Sequence, residues 1–252
     1  MLIRFDGCTA VVAGCARGIG QAIARSLAND GARVIACDLL LNDIKPLAGP
    51  VDGGGEIITM KVDVTNEASI AEVVREANHV DILVYVAGGV RGQRPKPLED
   101  VSAEDFTGII DVNLKGAFLC AKAVAPGMKQ KGTGRIVTIS SRAGLVASLT
   151  GIQSYAAAKH GQIGLVKQLA QELGPFGITV NSVAPGFMAT SPDYVRQWDE
   201  WPEGFRGNFV NTIAMRRMGE PQDVADAVTF LVSEHASWIT GQTIPVTGNP
   251  LM

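Results

Sequence analysis

Short apolar runs alternate with longer stretches in which apolar residues return every three or four positions, nearly from end to end of the chain. Strands are predicted at Cys8 to Ala13, Ala32 to Cys37, Glu56 to Val62, Asp81 to Val86, Arg135 to Ile139, Ile178 to Val183 and Gln242 to Val246. Helical spacing runs from Ile19 to Asn29, joins Ile70, Val73, Val74 and Ala77, and returns over Phe106 to Met128 and Val224 to Val232. Another helix spans Tyr155 to Leu173 and stops at Gly174-Pro175. The strands are too uniformly apolar to keep one face wet, so they belong to a parallel sheet covered by helices on both sides. Right-handed crossovers then give a single doubly wound, Rossmann-type α/β domain over residues 1–252, with a sheet of about seven strands.

Two segments break the rhythm. Asn42 to Gly55 is rich in Gly and leaves little room for a full helix between the second and third strands. Phe187 to Met215 is long and irregular and holds Phe187, Tyr194, Trp198, Trp201, Phe205 and Phe209.

Composition narrows the class. With 252 residues, 46% of them hydrophobic and 19% charged, the chain buries a sizeable core, and global disorder is excluded. A formal net charge of −3 supplies no global field to draw in nucleic acid or an acidic membrane. Cys8, Cys15, Cys37 and Cys120 lack C-x-x-C spacing and fit reduced thiols in a cytoplasmic protein. His79, His160 and His235 lie far apart, so no metal site is expected. The first residues show no signal-peptide pattern, and no apolar run reaches the ~18 residues of a membrane helix.

Candidate chemistry begins after the first strand. Gly14-Cys15-Ala16-Arg17-Gly18-Ile19-Gly20 opens the first helix, where glycines let the backbone approach a pyrophosphate and a helix N-terminus offers free N–H groups. Asp38 ends the next strand, placed to accept hydrogen bonds from adenosine ribose hydroxyls. That carboxylate, followed by Leu39 rather than Arg or Lys, disfavours a 2′-phosphate, whereas Arg17 would favour one; the balance points to NAD rather than NADP.

Tyr155 and Lys159 lie one turn apart on a helix face. An ordinary phenol has a pKa of ~10, about three units too high for a base at neutral pH; a neighbouring ammonium and an oxidised nicotinamide would supply the ~4 kcal/mol needed. Ser140 and Ser141 end the Arg135 strand, on the side where open α/β sheets bind ligands. Asn113 lies in a helical stretch, where it reads equally as packing or a local backbone bond.

Gly14-x-x-x-Gly18-Ile19-Gly20, Asp38, Asp63-Val64, Ala87-Gly88, Asn113, Ser141, Tyr155-x-x-x-Lys159, Asn181 and Pro185-Gly186 follow in an order that resembles the short-chain dehydrogenase/reductase family over nearly the whole chain. The resemblance implies hydride transfer between a nicotinamide cofactor and a small-molecule secondary alcohol or ketone. Tyr155 would be the general acid/base, Ser141 would polarise the substrate oxygen, and Lys159 would lower the Tyr155 pKa and hold the nicotinamide ribose. Asn113 would position a water linking Lys159 to solvent. Gly14, Arg17, Gly18, Ile19, Gly20 and Asp38 would hold the adenosine and pyrophosphate end, Asp63 and Val64 the adenine. Val86, Ala87 and Gly88, with Pro185, Gly186, Met188 and Thr190, would complete the cofactor site. A homodimer or homotetramer through the long helices is implied as well. In the family the Phe187 to Met215 segment covers the substrate, so it would be an apolar lid, or else packing within or between subunits.

Departures from the family pattern are Ala13 for the usual Thr, Tyr85-Val86-Ala87-Gly88 for Asn-Asn-Ala-Gly, and Thr247-Gly248-Asn249 near the end. The first two read as one joint apolar repacking. Ser141 to Tyr155 is one residue longer than the commonest spacing, which keeps Ser140 as an alternative catalytic serine. Arg91, Arg94, Lys96 and Arg142 are expected around one mouth, either binding an anionic substrate or forming a solvated basic loop. Rival functions are an NADP-dependent ketone or 3-oxoacyl reductase, a non-catalytic dinucleotide-binding protein, and a cofactor-free lyase or dehalogenase on the same fold.

Overall fold

The computed structural model describes residues 2–249. Its eight strands are β1 (Thr9–Ala13), β2 (Arg33–Asp38), β3 (Gly49–Pro50), β4 (Glu56–Lys61), β5 (Ile82–Tyr85), β6 (Gly134–Ile139), β7 (Ile178–Pro185) and β8 (Thr243–Val246). They form one sheet in the order β3-β4-β2-β1-β5-β6-β7-β8. Every pairing is parallel except that of β3 with β4. Seven parallel strands therefore match the reading from the sequence. The eighth is the two-residue β3, formed where Asn42 to Gly55 replaces a full crossover helix with one turn, α2 (Leu41–Ile44), and a short 3₁₀ turn.

The helices are α1 (Gly18–Asn29), α3 (Glu67–Ala77), α4 (Ala103–Ile110), α5 (Gly116–Lys131), α6 (Gln153–Leu173), α7 (Pro192–Glu200), α8 (Glu203–Thr212) and α9 (Pro221–Val232). None of the described helices is long and apolar enough to cross a membrane. Successive residues of β1 and β5 face opposite sides of the sheet, as the pleat requires. Val12 and Val84 join Ile23, Leu27 and Val228 in one core, while Val11 and Leu83 join Val73, Ala121 and Val166 in the other. Both faces are dry, which explains the unbroken apolar strands. Asn181, in β7, donates to the Ile239 carbonyl and accepts from the Gln242 N–H at 2.7 and 3.1 Å, so it seats β8 at the sheet edge.

The long helical region expected at Phe106 to Met128 is interrupted. Asp111 to Lys115 form a π turn between α4 and α5, a device that re-aims side chains within a helix. Tyr85 donates its hydroxyl to the Val112 carbonyl at 2.5 Å, and the main-chain carbonyl of Asn113 accepts from Gln162 at 2.7 Å. This corrects the expected apolar repacking: Ala13 is apolar, but Tyr85 brings a polar atom that supports the π turn. The Phe187 to Met215 segment is likewise less irregular than its sequence suggests, since it folds into α7 and α8.

Tyr85 is fully buried. Removing its hydroxyl leaves the Val112 carbonyl without that donor. Tyr85→Phe is expected to lower unfolding stability by about 1–2 kcal/mol, read from the urea midpoint at unchanged slope.

Candidate active site

The strand order reverses between β1 and β5, and the crevice beyond their carboxyl ends is where such sheets bind ligands. A cavity of about 550 Å³ opens there. Its lining includes Gly14, Arg17, Ile19, Gly20, Asp38, Asp63, Val64, Val86, Ala87, Gly88, Ser141, Tyr155, Lys159, Pro185, Gly186, Met188 and Thr190. Two expected site residues are not part of this lining: Asn113, which is fully buried, and Gly18, which is half-buried and packs close to Thr190. Leu39, Leu40, Val112 and Tyr194 line it as well.

At the nucleotide end, Gly14 has φ +101° and lies so close to Ala87 that a side chain would run into its backbone. A Cβ on Gly20 would likewise strike the Gly14 carbonyl. Arg17 caps α1 without a side-chain hydrogen bond, leaving the helix's first N–H groups for an anion. This cradle fits a pyrophosphate. Asp38 accepts from the Ala16 N–H at 2.8 Å and the Leu40 N–H at 3.0 Å. Each carboxylate oxygen keeps a second lone pair for a ribose hydroxyl. Arg17 is paired with Asp43 at 3.0 Å, so the cation expected to favour a 2′-phosphate already has a counter-ion. Asp63 accepts from the Thr65 N–H and hydroxyl, which hold its carboxyl below the usual range.

At the chemical end, Tyr155 and Lys159 are buried on α6. The Lys159 ammonium donates to the Ile139 carbonyl at 2.8 Å and to Gln162 Oε1 at 3.3 Å. Burial pulls its pKa down to about 7. Burial also pushes the Tyr155 phenol up, against hydrogen bonding to Tyr194 and the nearby Ser141 hydroxyl, which pulls it down. Ser140 donates to the Lys159 carbonyl at 3.0 Å and is thereby tied to the α6 backbone. Ser141 accepts from the Ala143 N–H at 3.1 Å and keeps its own proton to donate. Asn113 is fully buried, and its carboxamide makes paired bonds with the Gly89 backbone at 3.0 and 2.9 Å. Those bonds fix the Gly88-Gly89 wall.

The Phe187 to Met215 segment differs from the expected lid. Of its six aromatic residues, Phe187 and Tyr194 line the cavity. Phe187 also packs against Trp198, Trp201 and Phe209 at ring separations of 6.0, 4.9 and 5.8 Å, and Trp201 packs on Phe205 at 5.0 Å. The Tyr194 hydroxyl donates to that of Tyr155 at 2.8 Å. The four cations expected around one mouth are dispersed. Arg94 pairs with Glu200 at 2.7 Å, Lys96 with Asp105 at 3.0 Å, and Arg91 donates to the Gly108 carbonyl at 3.1 Å. Arg91 and Arg142 alone of the four line the cavity.

Sequence reading passed over Gln162 and gave Tyr194 no separate role. Gln162 had a signal: it continues the buried stripe of Tyr155, Ala158, Lys159, Val166, Ala170 and Leu173 as an uncharged polar residue. Tyr194 had none, because only the fold of α7 carries it to Tyr155.

A family model described as enoyl-(acyl carrier protein) reductase matches residues 14–248. With that match and the relatives it accompanies, the chain belongs to the short-chain dehydrogenase/reductase family. It is 38% identical to 3-oxoacyl-[acyl-carrier-protein] reductase FabG of Escherichia coli K12, covering 99% of this chain and 100% of that one. Among solved structures, 7α-hydroxysteroid dehydrogenase complexed with NADH and 7-oxo glycochenodeoxycholic acid superposes with a TM-score of 0.87 at 31% identity, covering 99% and 96% of the two chains. A 3-oxoacyl-[acyl-carrier protein] reductase from Brucella melitensis with bound NAD gives 0.87 at 32% identity, covering 100% and 94%.

The Lys159 shift has a consequence for stability. An unfolded lysine keeps its proton to about 10.5 while the folded one releases it near 7, so wild-type stability gains from this group as pH rises between those values. In Lys159→Met that gain is lost. The melting temperature of the variant relative to wild type is therefore expected to fall steadily from pH 6 to pH 10.

Proposed function

We propose that the protein is an NAD(H)-dependent oxidoreductase that interconverts a secondary alcohol and a ketone. The observation that carries this reading is the convergence of Tyr155, Lys159 and Ser141 on the cavity that the glycine-rich turn enters. When bound, the nicotinamide supplies the hydride acceptor or donor. The Tyr155 phenol exchanges a proton with the substrate oxygen, and the Ser141 hydroxyl donates to the same oxygen as charge builds on it. Lys159 places a positive charge 5.8 Å from the Tyr155 ring centroid, favouring the phenolate. Asn113 acts as a positioning residue through its bonds to Gly89. Ser140 is the weaker candidate for the serine role, its hydroxyl being given to the Lys159 carbonyl.

The cofactor preference rests on Asp38 and on the Arg17–Asp43 pair. The relatives solved with NADH and with bound NAD support it. A second reading, reduction of 3-oxoacyl thioesters with NADPH, is favoured by the full-length similarity to the E. coli reductase. Either reading makes the site a ketone site. The buried thiols Cys15, Cys37 and Cys120 are free and support a cytoplasmic location. Phe106 and Phe118, exposed on α4 and α5, support assembly as a homodimer or homotetramer.

Calorimetric titration with NADH and NADPH side by side tests the cofactor. NADH is expected to bind on the order of tenfold more tightly, since a 2′-phosphate would face Asp38. Asp43→Ala, which frees Arg17, is expected to narrow the gap by about threefold. Tighter NADPH binding by the wild type would favour the thioester reading.

Turnover is tested on a panel holding a 3-oxobutanoyl thioester, a cyclic diketone and an oxo-steroid. Tyr155→Phe should lose at least ~10²-fold in kcat while the NADH Kd stays within about twofold, because a hydroxyl is not needed to fill the site. Normal turnover in that variant would overturn the mechanism.

A further inference from the structure

Gln162 lies on α6, three residues beyond Lys159, and is fully buried. Its Nε2 donates to the Asn113 main-chain carbonyl at 2.7 Å, and its Oε1 accepts from Lys159 Nζ at 3.3 Å. Rotating the carboxamide by half a turn would set donor against ammonium and acceptor against carbonyl. Chemistry alone therefore fixes its orientation.

A buried carboxamide is an expensive way to fill a helix face. Ala158 and Val166 on the same stripe are apolar, and a leucine at 162 would gain transfer energy where glutamine loses hydration. What the glutamine provides is a bridge between a cation and a carbonyl that adds no charge. Glutamate would cancel the positive field at Tyr155 and face the Asn113 carbonyl with another acceptor. Asparagine has the right groups but is shorter by one methylene, and lysine or arginine would repel Lys159.

We infer that Gln162 is a positioning residue of the acid/base pair: it retains the Lys159 ammonium beneath Tyr155 and ties that charge to the π turn carrying Asn113. The inference rests on the reading of Tyr155 and Lys159 as that pair. Among the described residues Lys159 has two protein acceptors, Gln162 and the Ile139 carbonyl. Deep burial works against its charge, so losing one acceptor of two weakens its hold on the proton.

Other titratable groups sit on the elements around the pair, three of them in the lining of the same cavity. Tyr194 and Asp193 come from α7, and Arg142 follows β6. On the π turn Asp111 and Lys115 pair with each other at 3.5 Å, and Asp105 of α4 pairs with Lys96. Tyr85 of β5 is bound to Val112, and His160 of α6 is exposed with its ring against the Ala156 carbonyl. None of these bonds to Lys159, so Gln162 is the side chain through which its proton can be tested.

The chain has three tyrosines, and burial pushes Tyr85 and Tyr194 well above the ordinary phenol range. Burial pushes Tyr155 up as well, but less far and against hydrogen bonding, and the Lys159 ammonium lies 5.8 Å from its ring centroid. The first tyrosinate absorbance step in an ultraviolet pH titration with saturating NAD⁺ is therefore assigned to Tyr155 coupled to Lys159, and Tyr155→Phe should abolish it. Gln162→Leu and the length-matched Gln162→Met are expected to move that step upward by about one pH unit, a tenfold loss of phenolate at a given pH. Gln162→Glu should move it upward as well, by opposing the ammonium's field. An unchanged step in any of these variants that still binds NAD⁺ would overturn the inference, even where the melting temperature falls, because packing alone would then explain the residue. If the wild-type step with NAD⁺ lay at or above that of free tyrosine, the acid/base reading itself would fail. That outcome is seen before any Gln162 variant is made.

Discussion

Lys159 carries an ammonium into a part of the molecule that is almost closed to water, and isolating such an ion costs several kcal/mol unless it is met by acceptors. The cavity end of the sheet is organised by that demand. β6 ends so that the Ile139 carbonyl faces the ammonium, and α6 presents Gln162 one turn on. Gln162 in turn holds the π turn between α4 and α5, and the π turn holds Asn113 against Gly89. Tyr85 supports the same turn from β5. A chain of polar contacts thus runs from the end of one strand, through the lysine, to the cavity wall on another.

Most of the fold was legible because its forces are periodic. Dry strands, amphipathic helices and a glycine-rich first turn each leave a local mark, and all seven parallel strands were placed from such marks. What was missed depends on geometry without period. The π turn is one extra residue in a helical register, stabilised by Tyr85 and Gln162 from distant parts of the chain. No local pattern distinguishes it from plain helix. β3 is two residues long and pairs only because the chain doubles back beside β4.

The candidate site was legible to a similar depth. Most residues of the ordered set of motifs line one cavity, with Gly18, Asn113 and Asn181 outside its lining, and the ambiguity between Ser140 and Ser141 turns on a single bond from Ser140 to the α6 backbone. The cations near the mouth looked alike in sequence. Glu200, the counter-ion of Arg94, is 106 positions away, so only the fold shows that this cation is occupied. Asp105, which pairs with Lys96, is nine positions away but across a turn that the sequence pattern does not resolve.

The candidate lid, Phe187 to Met215, has a small core of its own. Phe187, Trp198, Trp201, Phe205 and Phe209 pack largely on one another, while polar contacts fasten the lid to the body: Asp193 with the Gly92 N–H, Gln197 with the Leu149 carbonyl, and Glu200 with Arg94. Substitutions inside that aromatic nest alter the roof of the cavity while leaving the sheet's packing untouched. Selection can therefore retune what the roof accepts at little risk to folding, and descendants of this scaffold can diverge in diet while sharing one engine.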